Sequence, residues 1–464
     1  MSEFGARRFT IRVCRRVIGA KTDQGAVAQK LQKGTQLFCV VVQNLETTTM
    51  TYAMKSFLLA SALTAACTAP LTALAQAAAA AATESAPAAA DPPILSIWGF
   101  DLTGYFDVGY TSLSGRGAFN ATPNGPGVSI GGPDRVFDYR RNSLNLHQFA
   151  LTLANQPKEG FGGLLTLTLG KDADVIAAYK TGPSRGDGCN LATGQANTDG
   201  CRKTGYDVTQ AFAQYAIGPA TFVLGKYVTL AGSEVINSTA NSNYSRSILF
   251  GYAIPFTHTG VRASYAASDT LTLIGGVNNG WDAFNDTNSA KTAELGVSFT
   301  PSKMFILSGQ AYSGKERVGG LVNTGPQGMR NLFDAVATFN ATDSLTLILN
   351  YDYGTQANAS SVTATGANQA RWYGLAGYVN YQIDEMWKIS LRGEYFNDRD
   401  GYRTGVSQKW KEATLTLGYT PIKNLELRAE IRGDRSNVPA FVNSDERSAS
   451  KSQRSAGLEA IYKF

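Results

Sequence analysis

The sequence predicts an all-β fold: a transmembrane, antiparallel, up-and-down β-barrel of about 16 strands. Three observations carry the prediction. The chain ends in a two-residue alternation, Leu458, Ala460, Tyr462 and Phe464 interleaving with Glu459, Ile461 and Lys463. The same alternation recurs upstream, with Leu425, Leu427, Ala429 and Ile431 against Glu426, Arg428, Glu430 and Arg432, and Trp387, Ile389, Leu391 and Tyr395 against Lys388, Ser390, Arg392 and Glu394. Finally, short and long connections alternate along the chain. A strand oily on one face and charged on the other suits lipid outside and water within.

The elements follow in chain order. From Met54 the residues MKSFLLASALTAACTAPLTALAQ hold one Lys, an apolar run broken by Pro70, and Ala73, Leu74 and Ala75 before Gln76. This is the pattern of a secretory signal over 54–75 with an A-x-A cleavage site. Residues 1–53 read as a mis-assigned upstream extension, with translation starting at Met50 or Met54. Residues 76–95 are an Ala/Pro-rich flexible lead-in. The barrel then occupies 96–464.

Within it, Pro, Gly, Asp and Asn turn formers mark seven hairpins: NQPKEG at 155–160, IGPA at 217–220, ASD at 267–269, TPSK at 300–303, ATD at 341–343, QIDE at 382–385 and TPIKN at 420–424. Seven hairpins plus an opening and a closing strand give sixteen. Longer connections lie between them, near 111–142, 172–204, 231–256, 279–290, 313–329, 355–369, 397–408 and 435–452. A soluble sandwich has no reason to sort its connections by length, whereas short periplasmic turns and long extracellular loops do. Strands of about eleven residues suffice for a tilted crossing of roughly 30 Å of hydrocarbon. Aromatics near strand ends, Trp98, Phe106, Tyr353, Tyr381, Trp387, Tyr395, Tyr419, Tyr462 and Phe464, suit the membrane boundary.

Composition excludes several classes. No stretch after residue 76 holds eighteen uninterrupted apolar residues, which argues against helical spans. The net charge of +6 comes from the first 75 residues, which carry nine Lys/Arg and three Asp/Glu and leave 33 of each sign beyond them. A basic nucleic-acid surface is thereby unsupported. Cys189 and Cys201, in a Gly/Asn/Asp-rich segment, read as a loop disulfide. No His or further Cys lies near them to suggest a metal site. His147 and His258 are the only histidines, and no GxSxG, HExxH, P-loop or EF-hand pattern occurs in the barrel region, so no catalytic, cofactor or metal site is expected.

Charges facing a dry interior would carry a desolvation penalty of several kcal/mol each, and sixteen strands enclose more space than wall side chains fill. A wet lumen is therefore expected. The residues expected to line it are Lys226, Glu234, Arg246, Arg262, Lys388, Arg392, Glu394, Glu426, Arg428, Glu430 and Arg432. Glu234 and Arg246 lie on the third long loop and are expected to narrow the lumen. Because Arg and Glu alternate, selectivity is expected to be weak.

The closing strand ending in Tyr462 and Phe464 looks like that of a bacterial outer-membrane barrel. The segment LAGSEVINSTANSNYSRSILFGYAIPFTHTGVR from Leu230, with Asn279, Gly280, Trp281, Asp282, Asn288 and Lys291 beyond it, resembles the OmpL-like β-barrel porin family of the Gram-negative porin superfamily. The resemblance covers 96–464 and is most specific over about 205–312. It implies a passive diffusion channel for small hydrophilic solutes or ions in the outer membrane, embedded in a lipid bilayer, handled by the barrel-assembly machinery and commonly trimeric. Two other readings stay open: a structural or adhesive barrel whose loops bind a partner, and an outer-membrane enzyme, which the sparse histidines disfavour.

Overall fold

The computed structural model describes residues 93, 95–97, 99–114, 135–138, 142–177, 205–286, 288–318, 326–442 and 449–464. The signal segment, the Ala/Pro lead-in, Trp98 and the Cys189/Cys201 pair lie outside these residues.

Sixteen antiparallel strands form the barrel. They are β1 (Phe100–Leu113), β2 (Leu144–Asn155), β3 (Gly160–Leu169), β4 (Tyr206–Ile217), β5 (Ala220–Val228), β6 (Thr257–Ser268), β7 (Leu271–Asn278) and β8 (Thr292–Ser302), followed by β9 (Phe305–Arg317), β10 (Gln327–Thr342), β11 (Leu345–Ala357), β12 (Gln369–Gln382), β13 (Trp387–Asp398), β14 (Gln408–Ile422), β15 (Leu425–Ser436) and β16 (Ser452–Lys463). Each pairs with its sequence neighbour, and β16 closes on β1 with Tyr462 opposite Phe106 and Leu458 opposite Tyr110. Closure leaves no open edge to be satisfied in lipid. All seven hairpins fall where the turn formers place them. A short extra strand, Leu95–Ile97, folds back on Phe100–Leu102 rather than continuing into β1. Gly99, at φ +80°, supplies the left-handed turn between them.

Alternation sorts the side chains by polarity. On β15 and β16 the outward Ile431 and Leu458 are 60% and 61% exposed, whereas the inward Arg428 is 2% exposed. Tyr462, Phe106, Tyr353 and Tyr381 also face outward. At the seam the Phe464 N–H donates to the Gly104 carbonyl and accepts the Gly104 N–H on its own carbonyl, both at 2.9 Å. The Phe464 ring lies over Gly104 and beside Phe106 and Phe149, at centroid separations of 5.4 and 6.2 Å.

Two bulges re-aim inward side chains. Asp107 and Val108 pair with Gln148 and Leu146, which leaves His147 as the extra residue, so both His147 and Gln148 are buried inside. The β3–β4 ladder does the same with Thr209 and Gln210.

The interior is not uniformly wet. Toward the short-turn end the inward residues Ser264, Thr338, Asn340, Thr346 and Lys388 are partly exposed, forming a vestibule. Above it, Asp334, Asn350, Arg392, Thr416 and Glu459 are buried, because the 229–256 connection occupies the interior at that height.

Candidate functional site

The 229–256 connection leaves β5 and returns to β6, yet its contacts lie on β13 to β16 and on β1 and β2. Of these, β13 and β14 stand about half the circumference from β5, so the loop spans the barrel. It is irregular apart from a single 3-10 turn at Ser238–Ala240 and a π turn at Leu249–Ala253. Backbone of this kind inside a barrel needs partners for its N–H and C=O groups.

The charged wall supplies those partners. Glu430 accepts the N–H groups of Tyr244 (2.8 Å) and Ser245 (3.1 Å), and Glu394 accepts those of Ile248 (3.0 Å) and Leu249 (3.1 Å). Within the loop, Glu234 accepts the Ser247 N–H at 2.7 Å. Arg392 donates to the Ser245 carbonyl at 2.6 Å, Arg432 to the Arg246 carbonyl at 2.8 Å, and Arg428 to the Ser238 carbonyl at 3.3 Å. From the other wall, His147 Nε2 lies 2.9 Å from the Tyr244 hydroxyl, whose oxygen is also 2.8 Å from Thr111. Burial pushes the Tyr244 phenol well above its ordinary value, so the hydroxyl keeps its proton.

The same charges neutralise one another. Arg392 meets Glu234 at 2.8 Å, Glu412 at 3.1 Å and Glu394 at 3.4 Å. Arg428 meets Glu426 at 2.8 Å and Glu459 at 3.0 Å, Arg432 meets Asp434 at 2.7 Å, and Lys388 meets Glu426 at 3.3 Å on the vestibule side. The expectation that this wall is wet is corrected at loop height. Arg392, Glu394, Arg428, Glu430 and Arg432 are buried there, and pairing plus loop backbone replaces the lost water.

Near the root of the loop, Lys226 pairs with Asp207 at 3.1 Å and Arg262 with Glu294 at 2.8 Å; the Arg262 guanidinium also lies over the Tyr227 ring at 4.1 Å. Of the eleven residues singled out from the sequence, nine therefore fall into two wall groups, bridged by a loop that carries the other two, Glu234 and Arg246. Arg246 donates to the Tyr244 and Ile236 carbonyls and the Ser238 hydroxyl rather than to a carboxylate.

The second limb of the loop is apolar. Ile248, Leu249, Phe250, Tyr252, Ile254 and Phe256 join Phe137, Trp372, Phe396 and Trp410 in one buried cluster. Trp372 fixes the limb by donating its indole N–H to the Ala253 carbonyl at 3.0 Å.

Sequence reasoning missed Glu412, Asp434, Glu459 and Asp107 as partners, although each lies on the inward parity of its strand. His258 is fully buried, stacked 4.7 Å from Tyr312 and 3.2 Å from the Gly280 carbonyl. Among the described residues no group of three or more His, Cys, Asp or Glu is arranged to hold a metal.

A closed sixteen-stranded barrel with an apolar exterior, a polar interior and a loop folded across it defines a protein of the outer-membrane channel class. Residues 99–464 match the family described as beta-barrel porin-2, OmpL-like, and the chain belongs to that family. No curated protein matches the sequence. Among solved structures, the outer membrane channel DcaP of Acinetobacter baumannii is similar at 14% identity and a TM-score of 0.51, over 81% of this chain and 100% of that one. An anion-selective porin from Comamonas acidovorans is similar at 10% identity and a TM-score of 0.51, over 79% of this chain and 99% of that one. At such identities these two share the fold.

Proposed function

We propose that the chain is a passive, weakly selective diffusion channel for small hydrophilic solutes or ions in the outer membrane of a Gram-negative bacterium, with the 229–256 loop as its constriction. The observation that carries this reading is the loop tied across a closed barrel that has an accessible vestibule beneath it. Lys226, Glu234, Arg246, Arg262, Lys388, Arg392, Glu394, Glu426, Arg428, Glu430 and Arg432 are proposed to line or shape the path. Weak selectivity is supported by the pairing of most of these charges, which leaves little net field along the axis. The long connections are assigned to the cell exterior and the two- to four-residue turns to the periplasm. A homotrimer and insertion by the barrel-assembly machinery are proposed from the family resemblance. Family and fold are those of channels, and we read the chain as non-enzymatic.

Single-channel recording tests the constriction. Glu234→Ala and Arg246→Ala are expected to raise conductance and shift the reversal potential in opposite directions; unchanged conductance and ion preference would remove both residues from the path. The packing of the apolar limb favours one competitor, a structural or adhesive barrel that stays shut. Liposome swelling separates the two, since a shut barrel admits no sugar.

A further inference from the structure

One cluster at the loop-side end of the barrel is not absorbed by the constriction. Arg330 near the start of β10 and Arg403 in the β13–β14 loop both place their guanidinium carbons over the Trp281 ring, at 5.0 and 5.5 Å. Trp372 and Tyr402 complete the group, stacked at 5.7 Å, and the Arg403 guanidinium also lies 5.4 Å over Trp372.

Among the described residues neither arginine forms an ion pair, in contrast to the arginines of the charged wall. Arg135, Arg262, Arg392, Arg428 and Arg432 each hold a carboxylate within 3.1 Å. Arg330 instead donates to Gln356 Oε1 at 2.7 Å, the Tyr402 hydroxyl at 2.7 Å and the Arg317 carbonyl at 3.2 Å, all neutral. Arg403 uses its Nε on the Tyr252 carbonyl. Of these guanidinium nitrogens only Arg330 Nε and Nη2 and Arg403 Nε have acceptors among the described residues, and Trp281 Nε1 is buried without one. The nearest carboxylates are engaged elsewhere. Glu316 takes the Trp281 N–H and the Thr292 hydroxyl, Asp282 takes the N–H groups of Phe256 and Thr257, and Asp398 takes those of Tyr402, Arg403 and Thr404.

Two guanidinium groups on one indole, with donors left over and no carboxylate in contact, suit a planar, doubly accepting oxyanion. We propose that this cluster is a binding site for the carboxylate group of a small solute, at the loop-side mouth and beside the apolar limb of the loop. Arg403 is half-buried and receives the carboxylate, whereas Arg330 and Trp281 are buried.

Calorimetric titration of the folded, detergent-solubilised chain tests the site without requiring conduction, so it stands or falls separately from the channel reading. Sodium benzoate is the probe and benzamide its neutral counterpart at matched ionic strength. The expected result is saturable benzoate binding, at least tenfold weaker benzamide binding, and a tenfold or greater loss of benzoate affinity in Arg403→Gln and Arg330→Gln, with Arg403→Lys intermediate. Arg403 lies in a loop, so Arg403→Gln serves even if Arg330→Gln fails to fold. Equal binding of benzoate and benzamide, an affinity unchanged by Arg403→Gln, or no saturable benzoate binding each overturns the proposal.

Discussion

Arg392→Met is expected to destabilise the folded barrel by roughly 3–5 kcal/mol and to untie the internal loop. The guanidinium is buried among Glu234, Glu394 and Glu412 and donates to the Ser245 carbonyl and hydroxyl. Removing one member of a buried ion cluster leaves the others uncompensated, and breaking such pairs costs about 3–5 kcal/mol. The carboxylates left behind repel one another, and two of them, Glu234 and Glu394, are also loop anchors. Loss of Arg392 should therefore loosen the Ser245–Leu249 stretch. Denaturant unfolding followed by tryptophan fluorescence should show the lowered midpoint, and single-channel recording should show a larger, noisier conductance than in the wild type. A methionine variant with unchanged stability and conductance would mean that the cluster does not hold the loop.

Loss of Phe464 is expected to have a comparable effect on assembly. Its backbone exchanges both bonds with Gly104 at the β1–β16 seam, and its ring packs on Phe106 and Phe149. Two backbone bonds at about 1 kcal/mol each and an aromatic contact of about 1 kcal/mol add to roughly 3 kcal/mol at the point where the cylinder closes. Deleting the residue should sharply lower the yield of heat-modifiable barrel on refolding into detergent. Gly104→Val should do likewise, since a Cβ there would sit 2.6 Å from the Phe464 ring. Normal refolding of both variants would show that the seam closes without this contact.

The barrel itself was legible because its information is local. Alternation in segments such as Leu425–Arg432 fixes which face meets lipid, and Pro, Gly and Asn at Asn155–Gly160 or Pro and Gly at Ile217–Ala220 fix where the chain reverses. Arg428, Glu430 and Arg432 share one parity and are buried inside the barrel. What parity does not encode is what they meet there. Glu234 and Arg392 lie 158 residues apart, and Tyr244 and Glu430 lie 186 apart. No spacing rule joins such residues, so a wet wall was the natural expectation where the structure has a loop clamped by carboxylates. The histidines show the same limit. The inward aim of His147 depends on a bulge, a one-residue register slip that the alternating pattern around it does not announce. Arg330, Trp281 and Arg403 sit on three different connections or strand ends, and only the closed cylinder brings them together.

On this reading the 229–256 loop lies across the inside of a conducting barrel and sets its conductance. Planar-bilayer recording of the wild type beside the Glu394→Ala/Glu430→Ala double variant, which removes both carboxylate clamps on the loop backbone, tests it most directly. Wild-type protein should give small, stepwise conductance and the double variant a severalfold larger step, both vanishing when the protein is omitted. Absence of steps from both proteins, with each folded and inserted, or identical steps from the two, would contradict it.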